Sequence, residues 1–327
     1  MWPVLLVPLI AFVTAALAVG WLAHSRAARL ALDEPNARSL HDRPVPRTGG
    51  IGLLLGIAAG WGFAQAQLTW PVLAGLFIVV AVSLVDDFRG LTAAVRLVAH
   101  LLAATLAAFA LPGASSHFLL LAFCVLCIGW MCNLYNFMDG SDGLAGGMAV
   151  FGFLAYAVAA WQAGNTPFAL MQLAIAAAAI GFLLHNFHPA RIFLGDAGSV
   201  PLGFMAGIFG LTGWLQGEWP WWFPLLVFSP FIVDASMTLL RRLVSGSRFW
   251  EAHRDHYYQR LVRLGLGHRN TALAEFALMI ICALAALWGL SLGVSGQHFL
   301  LAVATSAYVA LLVFIGRVWH SRKKQHA

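Results

Sequence analysis

Long apolar runs separated by short polar connections fill most of the chain. A helix needs roughly 20 residues to cross a hydrocarbon core of about 30 Å. Runs near that length lie at 2–24, 49–67, 70–85, 95–111, 118–135, 144–163, 168–186, 199–216, 221–240, 271–291 and 298–318. Backbone polar groups cannot stay unpaired in lipid, and the runs lack the alternation of a barrel strand, so they predict helices. We predict an all-α integral membrane protein, a polytopic bundle of about 11 transmembrane helices, or about 10 if the close spans around Gln67–Pro71 count as one.

Composition supports this prediction and limits the classes of partner that we expect. Apolar residues make up 61% of the 327 positions and charged residues only 10%, against roughly half and a quarter in globular domains. The net charge of +6 is explained by anchoring at a membrane surface and is no argument for nucleic acid. We therefore predict membrane lipid as a partner and no nucleic-acid partner.

The basic residues predict the orientation. With these spans, all 19 Lys and Arg residues fall on connections at one side of the membrane. By the positive-inside rule that side is cytoplasmic, with the N-terminus outside and the C-terminus inside. We predict a single multi-spanning domain over 1–327, with cytoplasmic loops near 25–48, 86–94, 136–143, 187–198 and 241–270.

The acidic residues gather on the same side, and several stand at the ends of apolar runs. Of the 13, only Glu218 falls on the outer side, while Asp234 lies inside a span. A single Asp at such a position is most simply a helix cap, but several on one face predict a polar cleft, because buried carboxylates need a cation or a metal. Asn136, Asp139 and Asp142 are spaced three apart, which on a helix keeps neighbours on one side. The oxygen-bearing candidates are Asp86, Asp87, Asn136, Asp139, Asp142 and Asp196.

Hard oxygen ligands of this kind suit Mg²⁺, with Mn²⁺ as an alternative. Such a cleft would repel a phosphorylated substrate unless cations lie beside it. The candidate phosphate-binding cations are Arg43, Arg47, Arg241, Arg242, Arg254, His253 and His256. A divalent metal with carboxylates, arginines and histidines is the equipment of phosphoryl transfer.

Five motifs resemble those of the polyprenyl-phosphate N-acetylhexosamine-1-phosphate transferases, in the same order along the chain. They are VPRTGGIG (Val45–Gly52), VDDFRG (Val85–Gly90), NLYNFMDGSDGLAGG (Asn133–Gly147), FLGDAGS (Phe193–Ser199) and HRDHYYQRL (His253–Leu261). The resemblance implies a bacterial inner-membrane enzyme with a cytoplasmic active site. It implies transfer of a sugar 1-phosphate from a UDP-N-acetylhexosamine to undecaprenyl phosphate with Mg²⁺, and release of UMP. A homodimer is compatible with this architecture.

The resemblance also implies roles for the nucleotide and metal side of the site. Asn136 and Asp139 would organise the diphosphate and the metal, and Asp142 would meet the uridine. Asp196 resembles the family's metal-binding aspartate. Phe193 resembles the aromatic residue on which uracil stacks, with an ordinary packed aromatic as the alternative.

Catalytic roles follow in the same way. Asp86 and Asp87 resemble the family's aspartate pair, of which Asp86 would orient or deprotonate undecaprenyl phosphate. Asp87 would bind the metal or pair with a basic residue. His253 and His256 stand where the family carries a histidine cluster, with solvated loop histidines as the alternative and His256 preferred. Asp234 resembles an acid of the ninth family span, for which we expect an ion pair with an arginine such as Arg241.

The HRDHYYQR segment and the Pro-Arg-Thr-Gly-Gly block favour the branch that starts O-antigen or related surface glycans, with UDP-FucNAc or UDP-QuiNAc among the donors. The alternative within the family is the phospho-MurNAc-pentapeptide transferase of peptidoglycan synthesis, which usually shows three consecutive histidines. An ion-coupled transporter is the alternative from another class, but it would place its acids near the middle of the membrane, often within internal repeats. A CDP-alcohol phosphotransferase would need further spaced aspartates after Asp139.

Overall fold

The computed structural model describes residues 2–29, 31–34, 43–246 and 254–325, and α-helices account for most of them. The helices are α1 (Trp2–His24), α2 (Gly49–Phe63), α3 (Trp70–Arg89), α4 (Ala93–Ala108), α5 (Phe118–Phe137), α6 (Leu144–Gln162), α7 (Thr166–Asn186), α8 (Asp196–Leu215), α9 (Trp222–Val227), α10 (Ser229–Val244), α11 (Tyr257–Leu261), α12 (Gly267–Gly289) and α13 (Val294–Gln325). Two 3₁₀ turns, Arg26–Arg29 and Ala114–Ser116, and a π turn, Val262–Leu266, lie between them. The prediction of an all-α membrane bundle is confirmed.

The lengths of the helices bear on the predicted number of membrane crossings. Among the described residues, eight helices are long and apolar enough to span a membrane, while α2 and α4 are shorter, with 15 and 16 residues. The predicted span near 221–240 is two helices that meet at Phe228. Pro230 has no N–H to donate at the start of α10, and the Ser229 hydroxyl donates to the Leu226 carbonyl at 2.7 Å instead. This interrupts the helix, and the count of 11 is not confirmed.

Helices α6, α7 and α8 form the centre of the bundle. Within the apolar 18-residue stretch of each helix, 78%, 72% and 83% of the residues of α6, α7 and α8 are buried, whereas in α13 the fraction is 11%. Close packing depends on small residues at several crossings. Gly56 of α2, for example, lies against the Ala11 carbonyl of α1 at a separation that leaves no room for a Cβ atom.

A short sheet and a set of backbone hydrogen bonds join the start of α2 to the segment before α8. Strand β1 (Leu32–Asp33) pairs antiparallel with β2 (Val45–Pro46). The Phe193 N–H then donates to the Pro46 carbonyl at 2.7 Å, and the Gly49 N–H donates to the Phe193 carbonyl at 2.9 Å. Two motifs far apart in sequence thus form one unit that leads into α8.

One end of the bundle carries most of the candidate acids, and we call it the acidic end. Here α2 and α8 begin and α3 and α5 finish. Asp86 and Asp87 lie in the last turn of α3, because this helix runs on to Arg89. The predicted loop near 86–94 is therefore largely helical.

The turn between α5 and α6 lies within the predicted loop near 136–143, but its polar residues do not have the helical arrangement that their spacing suggested. Helix α5 ends at Phe137, so Asn136 is helical but Asp139 and Asp142 are not. The expectation that a helix would hold the three on one side is wrong. The chain turns instead through Gly143, whose φ of 76° favours glycine.

The predicted loop near 241–270 is likewise partly helical. It contains the last turn of α10, all of α11 and the start of α12.

Candidate active site

Two carboxylates from different helices meet at one arginine. Asp86 Oδ2 accepts a hydrogen bond from Arg96 Nη1 at 3.1 Å, and Asp196 Oδ2 accepts from the same nitrogen at 3.4 Å. Asp86 Oδ1 also accepts from the Leu91 backbone N–H. Asp86 is buried, whereas the Arg96 side chain is 37% exposed. The three side chains therefore form one polar cluster, and the arginine is its most exposed member.

Asp87 directs both of its oxygens to the N-terminus of α8. Oδ1 accepts from the Asp196 N–H at 3.1 Å, and Oδ2 accepts from the Ala197 N–H at 2.9 Å. Arg47 donates from Nη2 to the Asp87 carbonyl at 2.6 Å, and its Nε lies 3.8 Å from Oδ1. Gly195, with a φ of 71°, makes the turn that lets α8 begin here. Asp87 thus caps α8 and fixes the direction of its first residue.

Asp139 differs from these acids, because its carboxyl group has no hydrogen-bond partner in the described part of the chain. It is half-buried in the turn after α5, and no described residue donates a hydrogen bond to its carboxyl group. Burial and the nearby carboxylates of Asp196, Asp87 and Asp33 raise the pKa of Asp139 well above its usual range. A carboxylate in this situation is stabilised strongly by an added cation.

Asp142 and Asn136 are close to Asp139 in the sequence, and Asp142 joins the turn after α5 to the segment between α7 and α8. Asp142 is buried, and its Oδ2 accepts from His188 Nδ1 at 2.7 Å and from the Ala190 N–H at 3.1 Å. Buried Asn186 accepts from the Gly143 N–H at 3.0 Å, which ties the same turn to the end of α7. Asn136 is half-buried in the last turn of α5.

Tyr258, two residues after His256, lies against the turn that carries Asp139, and His256 lies near the end of α5. The hydroxyl of Tyr258 donates to the Phe137 carbonyl at 3.2 Å, and Gly140 faces that hydroxyl with no room for a Cβ atom. The ring of His256 is 6.1 Å from that of Phe137 between centroids. The prediction that His256 belongs near the acids is therefore compatible with its position.

Asp234 does not form the expected ion pair with Arg241. Its Oδ1 accepts from the Tyr257 N–H at 2.9 Å and from His256 Nδ1 at 3.2 Å, and its Oδ2 accepts from the Tyr258 N–H at 2.9 Å. The expectation was wrong because the N-terminus of α11, with its first residues Tyr257 and Tyr258 and the preceding His256, lies against α10 and supplies these donors. Arg241 donates to the Asp255 carbonyl at 3.0 Å instead.

The other predicted cations are spread over two regions. Arg242 donates to Asp255 Oδ2 at 2.5 Å, and the Arg254 carbonyl accepts from Arg263 at 3.4 Å, so these residues lie around the segment that carries His256. Arg43 is exposed just before β2.

Two further candidates complete the placement. Phe193 is half-buried at the junction between β2 and α8, and its role in stacking stays a prediction. His253 lies outside the described residues.

The donor set fits a hard cation. Asp86 and Asp196 both accept from the same arginine nitrogen, and Asp139 lies near Asp196 without a hydrogen-bond partner among the described residues. No group of three or more His, Cys, Asp or Glu in the described part of the chain is already arranged around a metal position. Carboxylate oxygens with room for water and substrate phosphates are what Mg²⁺ prefers. Asp87 differs from the other three, since both of its oxygens already accept backbone hydrogen bonds.

Sequence reasoning missed Arg96 as a site residue. It was counted only as a basic residue of a loop, yet it lies in the first turn of α4 and contacts two aspartates. A charged residue at the start of an otherwise apolar helix is costly without a partner, and this signal could have identified it. Asn186 had no comparable signal, because its role depends on a turn distant in sequence.

Known proteins resemble the chain over most of its length. The model of the family described as Glycosyl transferase family 4 matches residues 69–213. A probable undecaprenyl-phosphate N-acetylglucosaminyl 1-phosphate transferase of Bacillus subtilis is 30% identical over 275 residues, which are 79% of this chain and 76% of the relative. A decaprenyl-phosphate N-acetylglucosaminephosphotransferase of Mycolicibacterium smegmatis is 28% identical over 331 residues, 86% of this chain and 80% of the relative. A phospho-N-acetylmuramoyl-pentapeptide-transferase of Anoxybacillus flavithermus is 34% identical over 191 residues, 49% of this chain and 58% of the relative.

The multi-pass α-helical bundle and these sequence similarities both indicate one group of membrane enzymes. The chain therefore belongs to the polyprenyl-phosphate hexosamine-1-phosphate transferases, which transfer a sugar 1-phosphate to a polyprenyl phosphate.

Proposed function

We propose that this protein transfers an N-acetylhexosamine 1-phosphate, or that of a deoxy-N-acetylhexosamine, from a UDP-sugar to undecaprenyl phosphate. The products are UMP and undecaprenyl-diphosphate-sugar, which would begin an O-antigen or a related surface polysaccharide. The observation that carries the proposal is the meeting of Asp86 and Asp196 at Arg96, beside Asp139. It supports a site for two phosphorylated ligands, because carboxylates for a cation and an arginine for a phosphate lie together.

In the proposed reaction, an oxygen of undecaprenyl phosphate attacks the β-phosphorus of the UDP-sugar. A new P–O bond forms there, while the bond from the β-phosphorus to the bridging oxygen breaks and its electron pair leaves with UMP. A phosphate at neutral pH is already largely ionised, so little proton removal is needed. Asp86 would orient this nucleophile through Arg96, whose guanidinium can bind a phosphate oxygen.

Mg²⁺ would be held by Asp196 and Asp139, with Asp86 close by and Asp87 acting mainly on the backbone of α8. A bound Mg²⁺ would neutralise the diphosphate of the donor. The nucleotide would lie along the wall formed by Asn136, Asp142 and Phe193. Asp142 already holds the segment between α7 and α8 through His188 and Ala190, so its contribution to uridine binding includes keeping that wall in place.

The other cations would bind the phosphates from the opposite side. Arg47 lies beside Asp87, and Arg241 and Arg242 lie at the segment that carries His256. Arg43 and Arg254 would add positive charge at the entrance. His256 would contact a phosphate group, and His253 would contribute in the same loop.

The relatives suggest which donor to test first. The names of the Bacillus and Mycolicibacterium relatives specify N-acetylglucosamine, and UDP-GlcNAc is accordingly our leading donor. A second candidate is UDP-MurNAc-pentapeptide, which the match to the Anoxybacillus protein favours. The distribution of Lys and Arg supports the bacterial inner membrane as the location, with the N-terminus in the periplasm and the acidic end in the cytoplasm.

The test is release of UMP by the purified full-length protein with undecaprenyl phosphate and Mg²⁺. The donors are the UDP derivatives of GlcNAc, GalNAc, FucNAc and QuiNAc, and UDP-MurNAc-pentapeptide. We expect UMP from at least one N-acetylhexosamine donor and none when Mg²⁺ is chelated. Asp86→Asn should lose turnover but retain nucleotide binding. Release of UMP from UDP-MurNAc-pentapeptide alone would select the peptidoglycan reaction. No UMP from any donor would overturn the proposal and return the transporter hypothesis to first place.

A further inference from the structure

We propose that His188 is a positioning residue for the nucleotide, because it fixes one oxygen of Asp142 and so directs the other, Oδ1, to accept a hydrogen bond from the uridine. His188 lies between α7 and α8 and belongs to none of the motifs used above. The place of the nucleotide beside Asp142 rests on the proposed function, whereas binding of UMP can be measured whether or not any donor reacts.

The two oxygens of Asp142 have different surroundings. Oδ2 accepts from His188 Nδ1 at 2.7 Å and from the Ala190 N–H at 3.1 Å. Oδ1 has no hydrogen-bond partner in the part of the chain that the structure describes, yet it is not fully enclosed. Although the residue as a whole is only 7% exposed, this oxygen is therefore accessible and can accept a hydrogen bond from a ligand.

The ring of His188 is itself held by a second imidazole. It lies nearly parallel to the ring of His268 at the start of α12, with 5.7 Å between centroids and 5° between planes. His268 Nδ1 is in turn 3.0 Å from the hydroxyl oxygen of Ser141, the residue before Asp142. Two neighbouring residues of the turn after α5 therefore each contact one member of a stacked pair. This arrangement limits rotation of the His188 ring and so fixes the direction from which Nδ1 meets Asp142.

Two donors fix the plane of a carboxyl group more tightly than one. The terminal torsion of an aspartate side chain is broad, so with Ala190 as the only donor the carboxyl group of Asp142 could rotate about that single contact. Oδ1 would then lose its fixed direction, and a ligand that used it would have to order it again, which costs binding free energy. We therefore expect His188 to act on the affinity for the nucleotide.

The fold of this region has a second support besides His188. Asn186, which is 4% exposed, accepts from the Gly143 N–H at 3.0 Å and donates to the Ile192 carbonyl at 2.9 Å. These bonds join the same turn to the same segment through the backbone. Substitution of His188 should therefore leave the segment in place, so that an effect on the nucleotide can be separated from an effect on folding.

The first measurement is the Kd of UMP for the full-length protein with Mg²⁺, by isothermal titration calorimetry, in two matched variants. His188→Phe keeps an aromatic ring beside His268 but removes the donor, whereas His188→Asn removes the ring and keeps an N–H donor. We expect the Kd to rise roughly 10-fold in His188→Phe and to stay within about threefold of the native value in His188→Asn. Native affinity in His188→Phe, or equal losses of affinity in the two variants, would overturn the proposal.

The second measurement compares UMP with its N3-methyl, 2′-deoxy and 3′-deoxy derivatives, each of which lacks one hydrogen-bond donor of the uridine. The native protein should bind the derivative that lacks the contacted donor roughly 10-fold more weakly than UMP, and in His188→Phe the same difference should fall below about threefold. An equal difference in the native protein and in His188→Phe would overturn the proposal. Equal affinity of the native protein for UMP and all three derivatives would also overturn it, and that result requires no variant to fold.

Turnover separates this role of His188 from the proposed function. With a donor that the native protein uses, His188→Phe should raise the KM for the UDP-sugar roughly 10-fold and change kcat less than about threefold, because the contact is made to substrate and transition state alike. Native turnover with no effect of His188→Phe on UMP binding would overturn the role of His188 alone. UMP binding without release of UMP from any donor would overturn the proposed function alone, and a native protein that binds no UMP would overturn both. Thermal unfolding of each variant establishes that it is folded.

Discussion

Two groups of aspartates at the acidic end use their oxygens in opposite ways. Asp87 and Asp234 are both nearly buried, and each carboxylate accepts two backbone N–H groups from an element distant in sequence. Asp86 and Asp196 instead share the guanidinium of Arg96, a partner that a metal or a phosphate can compete with. The first pair, the capping aspartates, fixes the backbone of distant elements, and the second pair, the arginine-bound aspartates, is the one that we propose for the chemistry.

The comparison explains why neighbours in one motif differ. Consecutive residues on a helix point about 100° apart, so Asp86 and Asp87 face different surroundings. Asp86 faces α4, and Asp87 faces the start of α8. A motif of two aspartates therefore contains one acid of each kind.

The largest effect is expected at an arginine-bound aspartate. Asp196→Asn should lower turnover roughly 10³-fold, about 4 kcal/mol of transition-state stabilisation, because it removes a charge that would hold the metal. The measurement is kcat for UMP release over a range of Mg²⁺ concentrations. Thermal unfolding should change little, since Asn at the start of α8 costs only a fraction of the helix-dipole interaction. Near-full activity would contradict the assignment of Asp196 to the metal.

A smaller loss of activity, with a loss of stability, is expected at a capping aspartate. Asp87→Asn replaces one accepting oxygen by an NH₂ group that faces a backbone N–H. It should therefore cost about 1–3 kcal/mol of unfolding free energy and lower kcat roughly 10–100-fold through Asp196. The apparent Mg²⁺ affinity should stay within about threefold. A large loss of Mg²⁺ affinity with unchanged stability would place Asp87 among the metal ligands instead.

A further effect is expected in the pH dependence of metal binding. The raised pKa of Asp139 means that, without a cation, this acid keeps its proton to a higher pH than an ordinary aspartate. A dication must displace that proton, so Mg²⁺ affinity should rise with pH until the pKa is passed, by at most about tenfold per pH unit for one proton. Titration of Mg²⁺ binding between about pH 5 and 8 tests the sign. The dependence should flatten in Asp139→Asn, and an affinity that falls with rising pH would contradict it.

The smallest effect is expected at the opposite end of the bundle. Glu218 accepts a hydrogen bond from Asn165 Nδ2 there, and burial raises its pKa, yet it contacts none of the acids discussed above. Glu218→Gln should leave kcat within about twofold and change stability by less than about 1 kcal/mol, because the hydrogen bond can be kept. It is the matched control for the aspartate variants, and a large loss of turnover would show that the site is not confined to the acidic end.

Much of the fold was predictable from local pattern. Each predicted span has a helical counterpart, because an apolar run of sufficient length has few alternatives in lipid. The interruption at Phe228 was not predicted, since the apolar pattern continues across Pro230 although the backbone hydrogen bonds do not. The helical arrangement expected for Asn136, Asp139 and Asp142 was wrong, because spacing by three residues is compatible with both a helix and a turn.

The sequence by itself determined that the chain lies in a membrane, that its acids and cations gather at one end, and to which family it belongs. Hydropathy, charge and motifs are properties of neighbouring residues, so they can be read along the chain. Only the tertiary structure decided which acid meets which partner. Asp87 reaches Asp196 across 109 positions, Arg96 reaches it across 100, and Asp234 meets the first residues of α11 rather than an arginine. Hydrogen bonds and charge pairs depend on distance in space, and helix packing sets those distances.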